Sequence, residues 1–295
     1  GIVALAEATG DPATVVFCLP AEIRARGWLH DWTGALALSR RMLDTASDAG
    51  DEQERLHALR WIAVCALRLG ATDEAAASLD ALEREGSGHD WTRLAVAESR
   101  GRLARVCSDP DGEARWFEEA VRLTRDLGLT GQQRVFELNV AGANIDAGRI
   151  AAALPMLRDT LPALRRAGQV RDIAYVHALL FSAWVACGDE DEALRCAAVA
   201  ESVYVRLRER VPLAEAHLGR CLLHARFGRA AASRTDRAAG FALLRGSPDR
   251  RARAHALLYA AAAAWTRGRR ASAGRAARAA HALWTSLGNP SADRE

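Results

Sequence analysis

A short pattern recurs along the sequence at intervals of about 40 residues, and this period limits the possible folds more than any other feature. In the segment CGDEDEA, Gly188 lies five residues before Ala193. The segments LGATDEA, AGRIAAA and RGRRASA repeat this spacing, and poorer copies fill the intervals between them. The glycine position falls at 27, 70, 109, 148, 188, 228 and 268, with aspartate instead of glycine at 109. A period of this length predicts a solenoid of stacked repeats.

Each period contains two segments whose apolar residues recur at helical spacing. RDIAYVHALLFSAWVAC precedes Gly188, and EDEALRCAAVAESVYVRLRER follows it. We interpret the glycine as the left-handed end of a first helix, and the acidic run from Asp189 to Glu192 as the capped start of a second. Metal binding by this run is disfavoured because consecutive carboxylates on a helix point in different directions. The sequence therefore predicts an all-α, right-handed solenoid of about seven antiparallel helix pairs.

Composition supports packed helices and suggests where the protein works. Half of the residues are apolar and only 6% are aromatic. All 40 basic residues are arginine, which indicates a GC-rich bacterial genome and excludes a Schiff-base or P-loop lysine in this chain. The six cysteines form no CxxC pair, and we predict that they are small core residues. We find no signal peptide and no run of about 18 apolar residues, so we expect a cytoplasmic protein with no membrane partner.

The repeats also resemble a known family. The glycine, the alanine five residues later and the bulky residues before the turn resemble tetratricopeptide repeats (TPR), best in WVACGDEDEALRCA and ALRLGATDEAAASL. The resemblance covers nearly the whole chain, although the period exceeds the usual length of about 34 residues. With AEATGDPAT and LTRDLGLTG, the long period resembles the sensor arrays of large bacterial ATP-binding regulators, namely MalT-like activators, antibiotic regulatory proteins and cyclases with a similar array.

The resemblance implies a function and a domain organisation. It implies a non-catalytic binding or scaffold module that senses a ligand or partner within a bacterial signalling or transcriptional regulator. We expect residues 1–295 to form one array. Both ends resemble inter-repeat loops, which predicts a fragment of a longer protein whose neighbouring domains are possible partners.

The resemblance also indicates a binding groove. In tetratricopeptide arrays the first helix of each pair lines the concave face, through positions 13, 10, 9, 6, 3 and 2 residues before the turn glycine. Polar and aromatic residues fill many of these positions, Glu215 among them. The predicted groove residues are Arg60, Trp61, Asn139, Asp146, Tyr175, His255, Tyr259 and Trp265. This mixture suits a peptide, a protein or a mid-sized molecule better than a lipid. The competing interpretation is structural: the tryptophans pack between repeats, and Asn139 joins a buried hydrogen-bond network.

Two other functions stay open at this point. Residues 1–150 carry a net charge of −7 and residues 151–295 a net charge of +10, so the basic C-terminal half is an alternative nucleic-acid surface. An enzyme active site in the groove is the second alternative, although neither GxSxG nor HExxH occurs. His217 and His224 lie two turns apart, but zinc would need further ligands, so we interpret them as packing residues. We predict no catalytic residue, no cofactor and no metal.

Overall fold

The structure, a computed structural model, describes residues 3, 8, 12–29, 31–247 and 249–286. Every regular element in this part of the chain is an α-helix, and the helices are joined by connections of two to five residues. The fourteen described helices are α1 Pro12–Trp28, α2 Trp32–Ala49, α3 Glu52–Leu69, α4 Thr72–Glu85, α5 Asp90–Val106, α6 Pro110–Asp126, α7 Thr130–Asp146, α8 Ile150–Arg166, α9 Val170–Cys187, α10 Glu190–Leu207, α11 Arg210–Arg226, α12 Ala230–Leu244, α13 Arg250–Thr266 and α14 Arg270–Ser286. The predicted all-α class is confirmed.

The helices form antiparallel pairs, because short connections turn the chain back and consecutive helices contact each other. Odd-numbered helices are the first members of the pairs. Contacts between residues divide the described chain into two compact units, one ending at Phe136 and the other running from Glu137 to Ser286, so that the sequence boundary falls within α7. That the whole chain forms a single array stays a prediction.

The first unit has apolar clusters between its helices. Leu19, Ile23, Met42 and Ile62 are buried together between α1, α2 and α3. A second cluster joins α3, α4 and α5. The first helices also contact each other, α1 with α3 and α3 with α5, as stacked repeats require.

The second unit repeats this arrangement and brings three first helices together. Its largest cluster joins the end of α7 to α8, α9 and α10 through residues such as Leu138, Leu157, Leu180 and Cys196. A further cluster joins α11, α12 and α13. Because α11 contacts both α9 and α13, these three first helices lie side by side.

The turns follow the predicted chemistry at most positions. Gly188 has a left-handed φ of 79°, its N–H donates to the carbonyl of Val185, and the N–H of Asp189 donates to the carbonyl of Trp184 at 3.0 Å. The Asp189 carboxylate then accepts from the N–H of Glu192 at 3.0 Å. The acidic run is therefore a helix start, as predicted. The glycines at 70, 148, 228 and 268 are also left-handed.

Two of the poorer repeat copies depart from the predicted turn. Gly27 lies inside α1 with an ordinary helical conformation, and a Cβ atom there would lie 2.9 Å from the ring of Trp32. Close packing rather than turn geometry thus requires this glycine. In the third copy the left-handed residue is Ser108, with a φ of 53°, and Asp109 caps α6 by accepting from the N–H of Gly112 at 2.9 Å.

The long helix predicted after Gly188 is wrong at its C-terminal end. The chain turns between Leu207 and Arg210, so α10 stops there and α11 begins. Arg208 occupies the left-handed position with a φ of 58°, a conformation that non-glycine residues adopt at an energetic cost. The N–H of Glu209 donates to the carbonyl of Tyr204, which closes the turn.

The predictions for apolar runs and cysteines need two corrections. By length and composition, α9 could cross a membrane, with 18 residues and a mean hydropathy of 1.3, although the sequence analysis found no such run. Its apolar residues pack into the largest core cluster of the second unit, which accounts for its composition. Cys187 is exposed, against the prediction, whereas Cys65, Cys196 and Cys221 are buried. Burial raises the pKa of the Cys65 and Cys196 thiols to about 11.

An ionic network holds α10, α11 and α12 together in the second unit. The carboxylate of Asp236 accepts from Arg220 at 2.7 Å and bonds His217 Nδ1 at 2.9 Å, with His224 Nε2 at 3.6 Å. Arg220 also pairs with Glu201 of α10. Burial opposes the charge of Asp236, but hydrogen bonds from His217 and Arg220 outweigh it and hold the pKa of the carboxyl below its usual range. The two histidines thus lie in an ionic network whose acidic members are on other helices, a role that the interpretation as packing residues did not include.

Replacing Asp236 tests this network. Asp236→Ala leaves Arg220 and His217 without their shared acidic partner in a partly buried cluster, so we expect the free energy of unfolding to fall by about 3 kcal/mol in urea denaturation. The matched control is Asp80→Ala, which removes an exposed partner of Arg100 and is expected to cost less than about 1 kcal/mol. Equal losses in the two variants would contradict a structural role for the network.

A second prediction concerns the contact between α9 and α11. A Cβ atom on Gly219 would lie 2.5 Å from the Cε1 atom of Phe181, so Gly219→Ala should destabilise the protein by about 1–3 kcal/mol. The control is Gly142→Ala in α7, where the nearest atom lies 3.6 Å away and alanine should stabilise the helix by up to about 1 kcal/mol. Urea denaturation measures both. A Gly219→Ala variant as stable as wild type would show that the two helices do not pack this closely.

Candidate functional site

A cavity of about 390 Å³ opens in the second unit where α9, α11 and α13 lie side by side. Residues of α10 close its remaining wall. The polar lining consists of Tyr175, Ser182, Tyr204, Glu215, His255 and Tyr259, and the apolar lining of Ala178, Leu179, Phe181, Ala197, Ala200, Pro212 and Ala216. Its volume lies within the range of about 300–1,000 Å³ that is usual for ligand sites. We call this cavity the tyrosine pocket.

The repeat register builds the tyrosine pocket. Tyr175, Glu215 and His255 are spaced by 40 residues, so each occupies the same position in its own first helix. Gly219 and Tyr259 share a second such position. Because Gly219 has no side chain, the ring of Phe181 packs directly on the backbone of α11. Equivalent positions of three repeats thus meet in one cavity.

All three tyrosines of the sequence line this pocket. Tyr204 is buried, and Tyr175 and Tyr259 are half-buried. Burial, together with the nearby charge of Glu215, raises the pKa of Tyr204 well above its ordinary range and that of Tyr259 to about 12. The phenols of Tyr204 and Tyr259 are therefore neutral near pH 7, and all three aromatic rings line the pocket.

Glu215 supplies the charge of the pocket. Its side chain lines the pocket and is exposed to solvent. Loss of part of its hydration to the surrounding protein, with a smaller contribution from the negative charge of Asp249, raises the pKa of the carboxyl to about 7. Among the described residues, no arginine or histidine forms an ion pair with it. A cationic ligand would supply the counterion that this carboxylate lacks.

The structure brings together some of the other predicted groove residues. Tyr175, His255 and Tyr259 line the tyrosine pocket, and His255 also packs against the ring of Trp284. Asp146 is exposed, and its charge contributes to the raised pKa of Tyr259, so it lies near the pocket.

Two predicted residues of the second unit lie outside the pocket lining. Asn139 is half-buried on α7, and the buried amide of this helix is instead Asn144, which accepts from Arg149 at 2.7 Å. Trp265 is 59% exposed, with the guanidinium of Arg270 lying 3.5 Å from the centre of its ring.

The two predicted residues of the first unit have different surroundings. Arg60 lines a cavity of about 340 Å³ with Trp91, Glu98 and Gln132, between α3, α5 and α7. Trp61 packs against the core cluster of α1, α2 and α3. Its contacts are those of the competing interpretation, a packing tryptophan.

Sequence reasoning missed two members of the tyrosine pocket. Glu215 stood at one of the transferred positions but was not selected, because nothing in the sequence showed that it would lack a counterion. Tyr204 lies on α10, the second helix of its pair, and the positions transferred from tetratricopeptide arrays lie only on first helices. The rarity of tyrosine, with three in the whole chain, was the signal that could have connected them.

Metal binding has little support from the geometry. Among the described residues, no group of three histidine, cysteine, aspartate or glutamate side chains could hold a metal ion. The interactions that this pocket offers are an ionic contact, hydrogen bonds and aromatic surface.

Comparison with known proteins identifies the fold. The sequence matches no protein-family model and no curated protein. The structure is similar to that of NprR in complex with its cognate peptide NprX, with a TM-score of 0.64 and 13% sequence identity. The match covers 88% of this chain and 78% of the NprR chain. The protein therefore has a TPR-like helical-repeat fold, and at this identity the similarity shows the fold alone.

The raised pKa of Glu215 predicts a change in stability with pH. Because its pKa is about 7 in the folded chain and 4.5 ordinarily, folding favours the protonated form. The stability from this group is fully present below pH 4.5 and is lost as pH rises to about 7. The Tm of Glu215→Gln, minus that of wild type, should therefore increase between these two pH values and then level off in thermal scans.

The control for this experiment is Glu118→Gln, since Glu118 is an exposed glutamate on α6 in the first unit. Its Tm difference from wild type should stay nearly constant across the same pH range. A Glu215→Gln difference that falls as pH rises, or that matches the control, would show that folding does not raise the pKa of Glu215.

Proposed function

We propose that this chain is a non-catalytic binding module that holds a peptide, or an extended segment of a partner protein, at the tyrosine pocket. The observation that carries this proposal is the register of the pocket, in which equivalent positions of α9, α11 and α13 meet. A ligand that follows the first helices would contact three repeats at once. The mixed lining of aromatic, hydroxyl and charged groups suits the polar and apolar parts of a peptide.

The structural similarity adds support from another protein. NprR, which has a similar fold, was crystallised with its cognate peptide NprX. A helical-repeat scaffold of this kind therefore accommodates a peptide in at least one protein. For the present chain, the size of the cavity supports the same class of ligand, because 390 Å³ accommodates one or two side chains but no folded domain.

We further propose the wider setting that the sequence resemblance implied. In this proposal the chain is the sensing segment of a bacterial signalling or transcriptional regulator, similar to the MalT-like activators, and it acts in the cytoplasm. Ligand occupancy would then be transmitted to neighbouring domains. The 40-residue period and the motif phrases quoted above support this setting.

One observation supports the alternative that the pocket is an enzyme active site, and other observations oppose it. Glu215, with a pKa near 7, has the protonation behaviour of a general base. However, the raised pKa values of Tyr204 and Tyr259 make these phenols poorer acids and nucleophiles. The hydroxyl of Ser182 donates to the carbonyl of Ala178 rather than to a base. Binding is therefore the better-supported function.

Selection from a random peptide library tests the proposed function. The wild-type chain is compared with Ala178→Trp and Ala216→Trp, which fill the tyrosine pocket from two different helices. We expect selected peptides to bind wild type and to bind both variants at least about tenfold more weakly, since an indole excludes the ligand from the cavity.

The matched control for this selection is Ala198→Trp, which adds the same side chain at an exposed position of α10 outside the pocket. It should retain binding, and circular dichroism checks that all three variants fold. Selection of no peptide, or peptides that bind the filled variants as tightly as wild type, would overturn the proposed function.

A further inference from the structure

The tyrosine pocket places the carboxyl group of Glu215, on α11, in one cavity with aromatic rings of the repeats before and after it, and this combination indicates the chemistry of its ligand. We propose that the pocket selects a cationic group of the bound peptide, a guanidinium or an ammonium, which the Glu215 carboxylate pairs with and the rings of Tyr175, Tyr204 and Tyr259 surround. This inference rests on the proposed function and specifies its ligand.

Each component of the pocket favours positive charge. The Glu215 carboxylate has no ion-pair partner among the described residues, so an incoming cation would supply the missing counterion. Aromatic faces carry negative electrostatic potential and attract cations in sites that exclude part of the water. Phenol hydroxyls add acceptors for the N–H groups of the ligand.

Two described acidic residues near the pocket act in the same direction. Asp249 at the start of α13 and Asp146 at the end of α7 add negative charge. Glu209 is already paired with Arg171, whose guanidinium lies 2.8 Å from its carboxylate. Of the titratable groups that line the cavity, His255 alone is able to become cationic. An anionic ligand would therefore meet the negative charges of Glu215 and Asp249.

A neutral apolar ligand fits the pocket less well. It would cover Glu215 with hydrocarbon and remove water from a carboxyl that has no protein partner, which is unfavourable. A cation removes this problem by stabilising the ionised form. Binding should therefore release a proton when the pH lies below the pKa of Glu215, and the affinity should increase as the pH rises towards 8.

The test uses four capped tripeptides of the form acetyl-Ala-X-Ala-amide. In the guanidinium arm X is arginine or its neutral isostere citrulline, and in the ammonium arm X is lysine or norleucine. Ligand-observed NMR on the full 295-residue chain measures the affinity of each probe. We expect the cationic probe to bind at least about tenfold more tightly than its neutral counterpart in one or both arms.

Variants test whether the charge of Glu215, rather than a structural role of its side chain, causes the preference for cationic probes. The cation preference is the affinity for a cationic probe divided by the affinity for its neutral counterpart. Glu215→Gln should reduce this ratio to about 1, whereas Glu118→Gln should leave it unchanged. Tyr259→Phe keeps the ring and should retain the preference, but Tyr259→Leu should weaken it. If Glu215→Gln does not fold, the pH dependence of wild type replaces it, and the preference should be lost below pH 4.5, where Glu215 is protonated.

The outcomes distinguish this inference from the proposed function. A preference in the guanidinium arm alone, the ammonium arm alone or both arms supports it. Equal binding of charged and neutral probes in both arms overturns it, as does no binding of any probe at about 10 mM. If the library selection yields pocket-dependent peptides without arginine, lysine or a free amine, the proposed function stands and the inference fails. If no peptide depends on the pocket, the proposed function itself fails.

Discussion

The contact between the first helices of successive repeats is the interaction on which the tyrosine pocket depends. Gly219 allows the ring of Phe181 to lie directly on the backbone of α11, which brings α9 and α11 close together. With α13 on the other side of α11, residues 40 apart in sequence become neighbours. A bulkier residue at position 219 would separate the helices and open the cavity. The pocket is thus a consequence of helix packing combined with the repeat period.

The neighbouring ionic network serves stability, whereas the pocket reduces it. Asp236 satisfies Arg220 and His217 in a partly buried cluster, and each of these groups has a partner. Five residues before Arg220 on the same helix, Glu215 lines the pocket without a counterion, and its raised pKa makes its ionisation unfavourable for folding. Proteins tolerate such strain mainly where function requires it. The contrast between two acidic sites on adjoining helices is therefore an argument that Glu215 is a binding group.

The sequence alone was sufficient for the elements that depend on local chemistry. The period predicted helix pairs, and the glycines at 70, 148, 188, 228 and 268 predicted left-handed turns, because a residue without a side chain adopts that conformation readily. The turn at Arg208 was not predicted, because nothing in the local sequence distinguishes an arginine in the left-handed conformation from one inside a helix. Two other features were not predicted: the residues that pair with Asp236, and the position of Tyr204 in the pocket wall. Both depend on contacts between different helices. Long-range pairing of this kind becomes visible only once the helices are packed.

The same register explains why the two units present different cavities on a shared scaffold. The position held by Tyr175, Glu215 and His255 in the second unit is held in the first unit by His57 and Val96, and by Val135 at the start of α7. His57 stacks on Trp91 with 4.6 Å between ring centres, Val96 is buried, and Val135 lines the cavity that contains Arg60. The same position therefore contributes tyrosine, glutamate and histidine to the tyrosine pocket and valine to the cavity that contains Arg60. Substitution there changes the lining of a cavity while the apolar residues that pack the helices stay the same.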